Sequence, residues 1–160
     1  MRFSPRLKAL LAMVEGRCLA DIGTDHGYLP IAACLNDVVE RAVACDLSPG
    51  PLEIARKNIL SYGLEDRIDL RLGYGLQPLL AGEADCIVIS GMGGMNIIEI
   101  LNDPSIELQG IKRLILQPQR DAAAVRLTLG GLGFEITKEA AAKDRRHSYI
   151  IIAAELKKAS

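Results

Sequence analysis

At 160 residues the chain has the length of one compact domain, and its 49% hydrophobic and 24% charged residues exclude a disordered or fibrous polymer. Nineteen basic against twenty acidic residues leave a net charge of −1, which excludes a general attraction to polyphosphate and confines any nucleic-acid surface to a local patch. The longest apolar runs, such as IIIAA near the C-terminus, fall far short of the ~20 residues of a membrane span, and no signal-peptide core opens the chain, so the expected setting is the cytoplasm, away from any membrane.

Ser4 in a capping position, Pro5 behind it and apolar residues at helical spacing predict a helix over 5–14. CLADIG reads as a short buried strand, and YLPIAACLN as a helix whose first turn accepts Pro30. RAVACD is a second buried strand ending at an aspartate. SPGPLEIARKNILSYG carries a capping serine, early prolines and a terminal glycine that mark both ends of a helix. IDLRL is a third strand; DCIVISG is a fourth, followed by the helix GMNIIEILND; KRLILQP is a fifth, closed by Pro118. RDAAAVRLTLGGLG is helical up to its glycines, and FEITKEAAAK and HSYIIIAAE form an antiparallel pair around the charged DRR turn. Near-continuous apolar strands alternating with helices predict a doubly wound α/β domain over residues 1–160. Its sheet is seven-stranded and mostly parallel, with an antiparallel terminal strand. Cys18, Cys34, Cys45 and Cys86 form no CxxC pair and read as buried filler, so no metal is expected.

In such sheets ligands bind outside the carboxyl ends of the strands, near the point where strand order reverses. Those ends hold Asp21, Gly23, Asp25 and His26 after the first strand and Asp46 after the second. Gly73, Tyr74 and Gly75 follow the third, Ser90 with Gly91, Met92, Gly93 and Gly94 the fourth, and Gln117, Pro118 and Gln119 the fifth. Gly23 lets a ligand approach the main chain. Asp46 closes the second strand near the spacing of about 20 residues at which an acidic side chain accepts both ribose hydroxyls of a nucleoside. GxGxxG and the P-loop are absent, and Asp25 would repel a pyrophosphate. A phosphate-free cation, S-adenosyl-L-methionine (SAM), suits Asp21 and Asp25 better, with His26 bonding nearby or holding the loop. The plain structural alternatives are that Asp25 caps the helix beginning near Gly27 and that Asp46 caps the helix after Ser48.

DIGTDHGYLP, SGMGG and RLILQP together resemble the bacterial tRNA adenine N1-methyltransferase family known as TrmK, over residues 5 to 156. The resemblance implies a Rossmann-like class I methyltransferase fold and SAM-dependent methylation of an adenine in the D-loop region of tRNA. It implies a SAM site formed by Asp21, Gly23, Thr24, Asp25, His26, Tyr28 and Leu29 with Asp46, Leu47, Gly73, Tyr74, Gly75 and Ser90. It also implies that Gly91, Met92, Gly93, Gly94, Gln117 and Pro118 line the pocket for the target adenine. Methylated adenine is a cation, and Asp25 is the carboxylate chosen to face it. Three departures stand out: Tyr74 where the family carries an acidic residue between the glycines, Gln119 where it often has asparagine, and an end at Ser160 where a helical, coiled-coil-like extension commonly follows. Without that extension, phosphate contacts are sought in Lys138, Lys143, Arg145, Arg146 and His147 near the terminal hairpin and in Arg2, Arg6 and Lys8. The reading also leaves open a homo-oligomer or a helper protein. Its alternatives are a SAM-dependent enzyme acting on a small molecule and a noncatalytic SAM-binding module.

Overall fold

The computed structural model describes residues 4–158, so Arg2 lies outside the described residues. Ser4 caps α1 (Pro5–Met13), its hydroxyl accepting from the Leu7 N–H at 3.1 Å. β1 (Cys18–Ile22), α2 (Tyr28–Leu35), β2 (Arg41–Asp46), α3 (Pro49–Ser61) and β3 (Ile68–Leu72) follow in alternation. β4 (Cys86–Met92), α4 (Gly94–Leu101), β5 (Arg113–Pro118) and α5 (Ala122–Gly131) continue it, and β6 (Phe134–Asp144) with β7 (His147–Leu156) close the chain as a hairpin. The strands form one seven-stranded sheet in the order β3-β2-β1-β4-β5-β7-β6. β1 to β5 pair in parallel, and β7 runs antiparallel to both β5 and β6. This is the Rossmann-like arrangement expected from the alternation of elements.

Successive residues of a strand point to opposite faces, so each apolar run feeds two cores. Leu19, Ala42, Ala44, Val88 and Ile115 lie under α1, α2 and α3 with Leu10, Ile31 and Ile59. Ala20, Val43, Ile87, Ile89, Leu114 and Leu116 lie under α4 and α5 with Ile97, Leu101, Val125 and Leu129. All four cysteines are buried and unbonded, and desolvation raises the pKa of Cys45 to about 12 and of Cys86 to about 11, which leaves those thiols unreactive. No described helix is long and apolar enough to cross a membrane.

Two capping expectations are corrected. Ser48 stands at the N-cap of α3, but its hydroxyl makes no cap bond; its backbone N–H donates to Asp46 instead. α2 starts behind Gly27, which is left-handed with no side-chain cap, so Asp25 does not cap it.

Strand order reverses between β1 and β4: β2 and β3 extend the sheet on one side, β5, β7 and β6 on the other. The crevice above this point is bounded by the β1–α2, β2–α3, β3 and β4–α4 loops.

Candidate active site

The loop after β1 is fixed before any ligand arrives. The N–H groups of Gly23 and Thr24 both donate to the Cys45 carbonyl at 2.9 Å. Thr24 Oγ1 donates to Asp21 Oδ2 at 2.8 Å, and Asn58 on α3 donates to the His26 carbonyl at 2.9 Å. Asp46 joins two loops: one oxygen accepts from the Asp25 N–H at 3.1 Å and the other from the Ser48 N–H at 3.0 Å. An ionised carboxylate has about four acceptor sites, so two remain for a ligand hydroxyl pair.

Two lobes open from this frame. The smaller, about 340 Å³, is walled by Ile22, Leu47, Tyr74, Met92 and Ile100, with Gly23, Gly73 and Gly75 and with Asp46, Asn96 and Glu99 at its polar edge. No arginine or lysine lines it among the described residues. The larger, about 580 Å³, is bounded by Asp21, Thr24, Asp25, His26, Tyr28 and Leu29, by Ser90 and Gly91, by Gln117 and Gln119, and by Arg6 and Tyr149. Gly23 borders both; its φ of +73° favours glycine, and a Cβ there would stand 3.3 Å from Met92 Cε.

Asp21 faces α1 and α2 from the centre of the sheet and is 4% exposed. Desolvation pushes its pKa up from 3.8 to about 7, opposed by the Thr24 hydrogen bond and the Arg6 charge and aided by Asp46 and Asp25. Asp25 lies on the rim, exposed and left-handed at φ +57°, with its carboxylate 3.6 Å from His26 Nε2. His26 stands edge-on to Tyr28 at 5.7 Å between ring centres. Gln117 is fully buried; its oxygen accepts from the Gly91 N–H at 3.0 Å, and its amide nitrogen has only a long 3.4 Å contact with the Pro118 carbonyl, which leaves donor capacity toward the cleft. Tyr74 has its pKa raised by desolvation and by a hydrogen bond with Glu99.

The structure distributes the sequence-derived site residues unevenly. Asp21, Thr24, Asp25, His26, Tyr28, Leu29, Ser90, Gly91 and Gln117 share the larger lobe; Asp46, Leu47, Gly73, Tyr74, Gly75 and Met92 share the smaller. Gly93, Gly94 and Pro118 line neither. A Cβ on Gly94 would fall 2.6 Å from the Arg120 carbonyl, so this glycine allows α4 to pack on the loop after β5. Arg6, sought as a phosphate contact, instead reaches into the cleft and donates to Ser90 Oγ at 3.3 Å, whereas Lys8 borders a separate surface hollow. Tyr149 and the α1 residues Leu7 and Leu10 were not read as site residues. Strand periodicity tells which face Tyr149 occupies, but only the hairpin's reach places it at the cleft.

The donor set suits SAM. An apolar slot with a carboxylate at its edge matches a nucleoside, and on the other side of Gly23 a second lobe holds the buried carboxylate of Asp21 and the rim carboxylate of Asp25, where a cation is favoured.

Comparison with known proteins agrees. A family model described as a methyltransferase domain matches residues 3–152. The tRNA (adenine(22)-N(1))-methyltransferase of Bacillus subtilis is 36% identical over 156 residues, covering 97% of this chain and 66% of that protein. The structure of TrmK from M. capricolum with S-adenosyl-homocysteine superposes with a TM-score of 0.87 at 32% identity, covering 96% of this chain and 68% of that one. A Streptococcus pneumoniae chain in complex with SAM gives 0.92 at 33% identity, covering 99% and 76%. The chain thus spans about two thirds of the length of the curated relative from B. subtilis. With this fold, these lobes and these relatives, the chain belongs to the TrmK-like tRNA adenine N1-methyltransferase family of class I SAM-dependent methyltransferases.

Proposed function

We propose that this chain methylates N1 of an adenine in tRNA with SAM as methyl donor, acting in the cytoplasm, and that the adenine is the one for which the B. subtilis relative is named. The observation that carries the reading is an apolar lobe with Asp46 at its edge beside a more polar lobe that holds Asp21 and Asp25, with Gly23 bordering both. SAM, when bound, supplies an electrophilic methyl group on a sulfonium, so transfer is one displacement and needs no covalent enzyme intermediate.

The protein's part is alignment and charge. Asp46 accepts the ribose hydroxyls while still tying the β1 and β2 loops together. Leu47, Tyr74 and Ile100 hold the cofactor's base, and Asp21 and Asp25 favour its cationic end. Adenine N1 is a lone-pair nucleophile in the neutral base, so no general base has to act before attack. Gln117, oriented by the Gly91 N–H, offers its amide nitrogen to the substrate in the larger lobe. Asp25 faces the positive charge that the base acquires on methylation.

Incubation with labelled SAM and unmodified tRNA, followed by nucleoside analysis, tests this: 1-methyladenosine at a single position is expected. Label appearing in a small acceptor but not in tRNA would replace the reading with small-molecule methylation, and tight SAM binding without transfer to either would leave a noncatalytic module. Light scattering of the protein with tRNA distinguishes a complex of one chain from one that needs an oligomer or a helper.

A further inference from the structure

The β6–β7 hairpin is longer than the sheet needs. β5 pairs with β7 from Arg113 opposite Glu155 up to Leu116 opposite Ile152. β6 and β7 stay paired beyond this, through Ile151 opposite Ala140 and Tyr149 opposite Ala142, to Asp144 opposite His147. At ~3.3 Å per residue the arm from Ile152 to His147 reaches roughly 15 Å past the last β5 pairing. Because β7 is antiparallel to β5, that overhang lies at the carboxyl end of the parallel strands, on the side of the cleft. Its root is packed, not loose: Ile151 and Ala153 join the core with Leu7 and Leu10 of α1, and Ala140 packs against the same core.

The arm has two chemically distinct parts. Tyr149 borders the larger lobe, as Tyr28 does, with His147 6.2 Å away between ring centres. The tip carries Lys143, Arg145 and Arg146, all exposed, against one carboxylate, Asp144. None of these three cations takes part in an ion pair among the described residues, whereas Arg126, near the base of the hairpin, is held by Glu139 at 2.8 Å. Arg145 is left-handed at φ +53°, at the turn of the hairpin. In a chain of net charge −1, a tip of net positive charge beside an otherwise mixed cleft is the local patch that a polyanion would need.

We propose that the β6–β7 hairpin is an RNA-gripping arm: Lys143, Arg145 and Arg146 contact the phosphates flanking the target nucleotide, and Tyr149 walls the space its base enters. This rests on the tRNA reading above and names the part of the protein that holds the substrate strand. Stacking on an aromatic ring and neutralisation of backbone phosphates are two of the means by which proteins hold an unpaired nucleotide, and this one element carries side chains for both.

The test replaces the tip with Lys143→Gln, Arg145→Gln and Arg146→Gln together. Affinity for tRNA is measured at a series of KCl concentrations, with affinity for S-adenosyl-homocysteine and thermal melting in parallel. Melting and S-adenosyl-homocysteine binding should match the parent. Binding of tRNA should weaken roughly tenfold or more at low salt, and the slope of log affinity against log salt should fall by about 2, since each lost phosphate contact removes ~0.7–0.9. Unchanged affinity and slope, with tRNA still methylated, would overturn the arm and leave the proposed function standing. A parent chain that neither binds nor methylates tRNA would overturn both. A second measurement is independent of the variant's folding: photo-crosslinking of the parent chain to tRNA should place adducts within residues 143–149, and adducts confined elsewhere would overturn the arm.

Discussion

Asp21 concentrates the site's electrostatics in one side chain. The unfolded chain releases its proton near 3.8 and the folded chain near 7, so between those values the folded state binds the extra proton. Stability contributed by this group therefore falls as pH rises from about 4 to about 7 and is level above that. Asp21→Asn should remove the slope, which melting temperatures at pH 4.5, 5.5, 6.5 and 7.5 would reveal as a flatter profile than the parent's. The same proton opposes a cationic ligand. Affinity for SAM should rise with pH toward 7 in the parent, by up to about tenfold per unit, and lose that component in Asp21→Asn; a pH profile identical in both proteins by calorimetry would remove Asp21 from cofactor binding. Asp25 differs, being exposed at the rim, where its carboxylate has no ion-pair partner among the described residues other than His26 at 3.6 Å. Its left-handed backbone is one that asparagine tolerates, so Asp25→Asn should fold normally. If the carboxylate faces the charge formed on the base, kcat should drop roughly ten- to a hundredfold with SAM affinity little changed, measured in single-turnover assays.

At the level of elements, Gly94 separates two meanings that glycine has at a strand end. The family resemblance implies that the glycines of SGMGG line the pocket for the target adenine; in the structure Gly91 borders the cleft, but Gly94 is pressed against the Arg120 and Asp121 carbonyls, where a Cβ would lie 2.6 and 2.8 Å away. Those contacts are backbone and cannot swing aside. Gly94→Ala should therefore destabilise the fold by about 1–3 kcal/mol in urea titrations while the folded fraction binds SAM as before; a loss of SAM affinity without a loss of stability would return Gly94 to the binding site. The same contrast shows what was legible. β-Branched runs, the Ser4-Pro5 start and the alternation of elements specify strands, helices and the parallel sheet, because each signal is local. That Asp46 and Asp21 border the cleft was legible because the carboxyl ends of strands are where such sheets open. Arg6 in the cleft and Tyr149 beside it were not, since each depends on how far an element extends over a neighbour remote in sequence. Ser48 shows the limit of motif reading: the residue type fits a cap, yet Asp46 already holds its N–H and the hydroxyl makes no cap bond.

Across the whole molecule, the cleft stands between two halves of the sheet. The smaller lobe is built by the ends of β1, β2 and β3 with α4 and Met92 of β4, the larger by β1, β4 and β5 with α1, α2 and the hairpin, so β1 and β4 belong to both. A ligand that fills both lobes ties the halves together across the reversal point, whereas a nucleoside alone engages one side. Any ligand that binds only the folded chain stabilises it by RT ln(1 + [L]/Kd), about 2.7 kcal/mol at a hundred times Kd. For a domain of this size that corresponds to a rise in melting temperature of roughly 5–10 °C. S-adenosyl-homocysteine should produce such a rise at millimolar concentration. Adenosine at equal concentration should produce a clearly smaller one, and methionine little or none, because neither fragment engages both lobes. Asp46→Ala should reduce the shifts from S-adenosyl-homocysteine and adenosine together, since the ribose is common to both. Equal shifts from adenosine and S-adenosyl-homocysteine would mean that the larger lobe contributes nothing to cofactor binding and serves the acceptor alone, which would move Asp21 and Thr24 out of the cofactor site and into the substrate's.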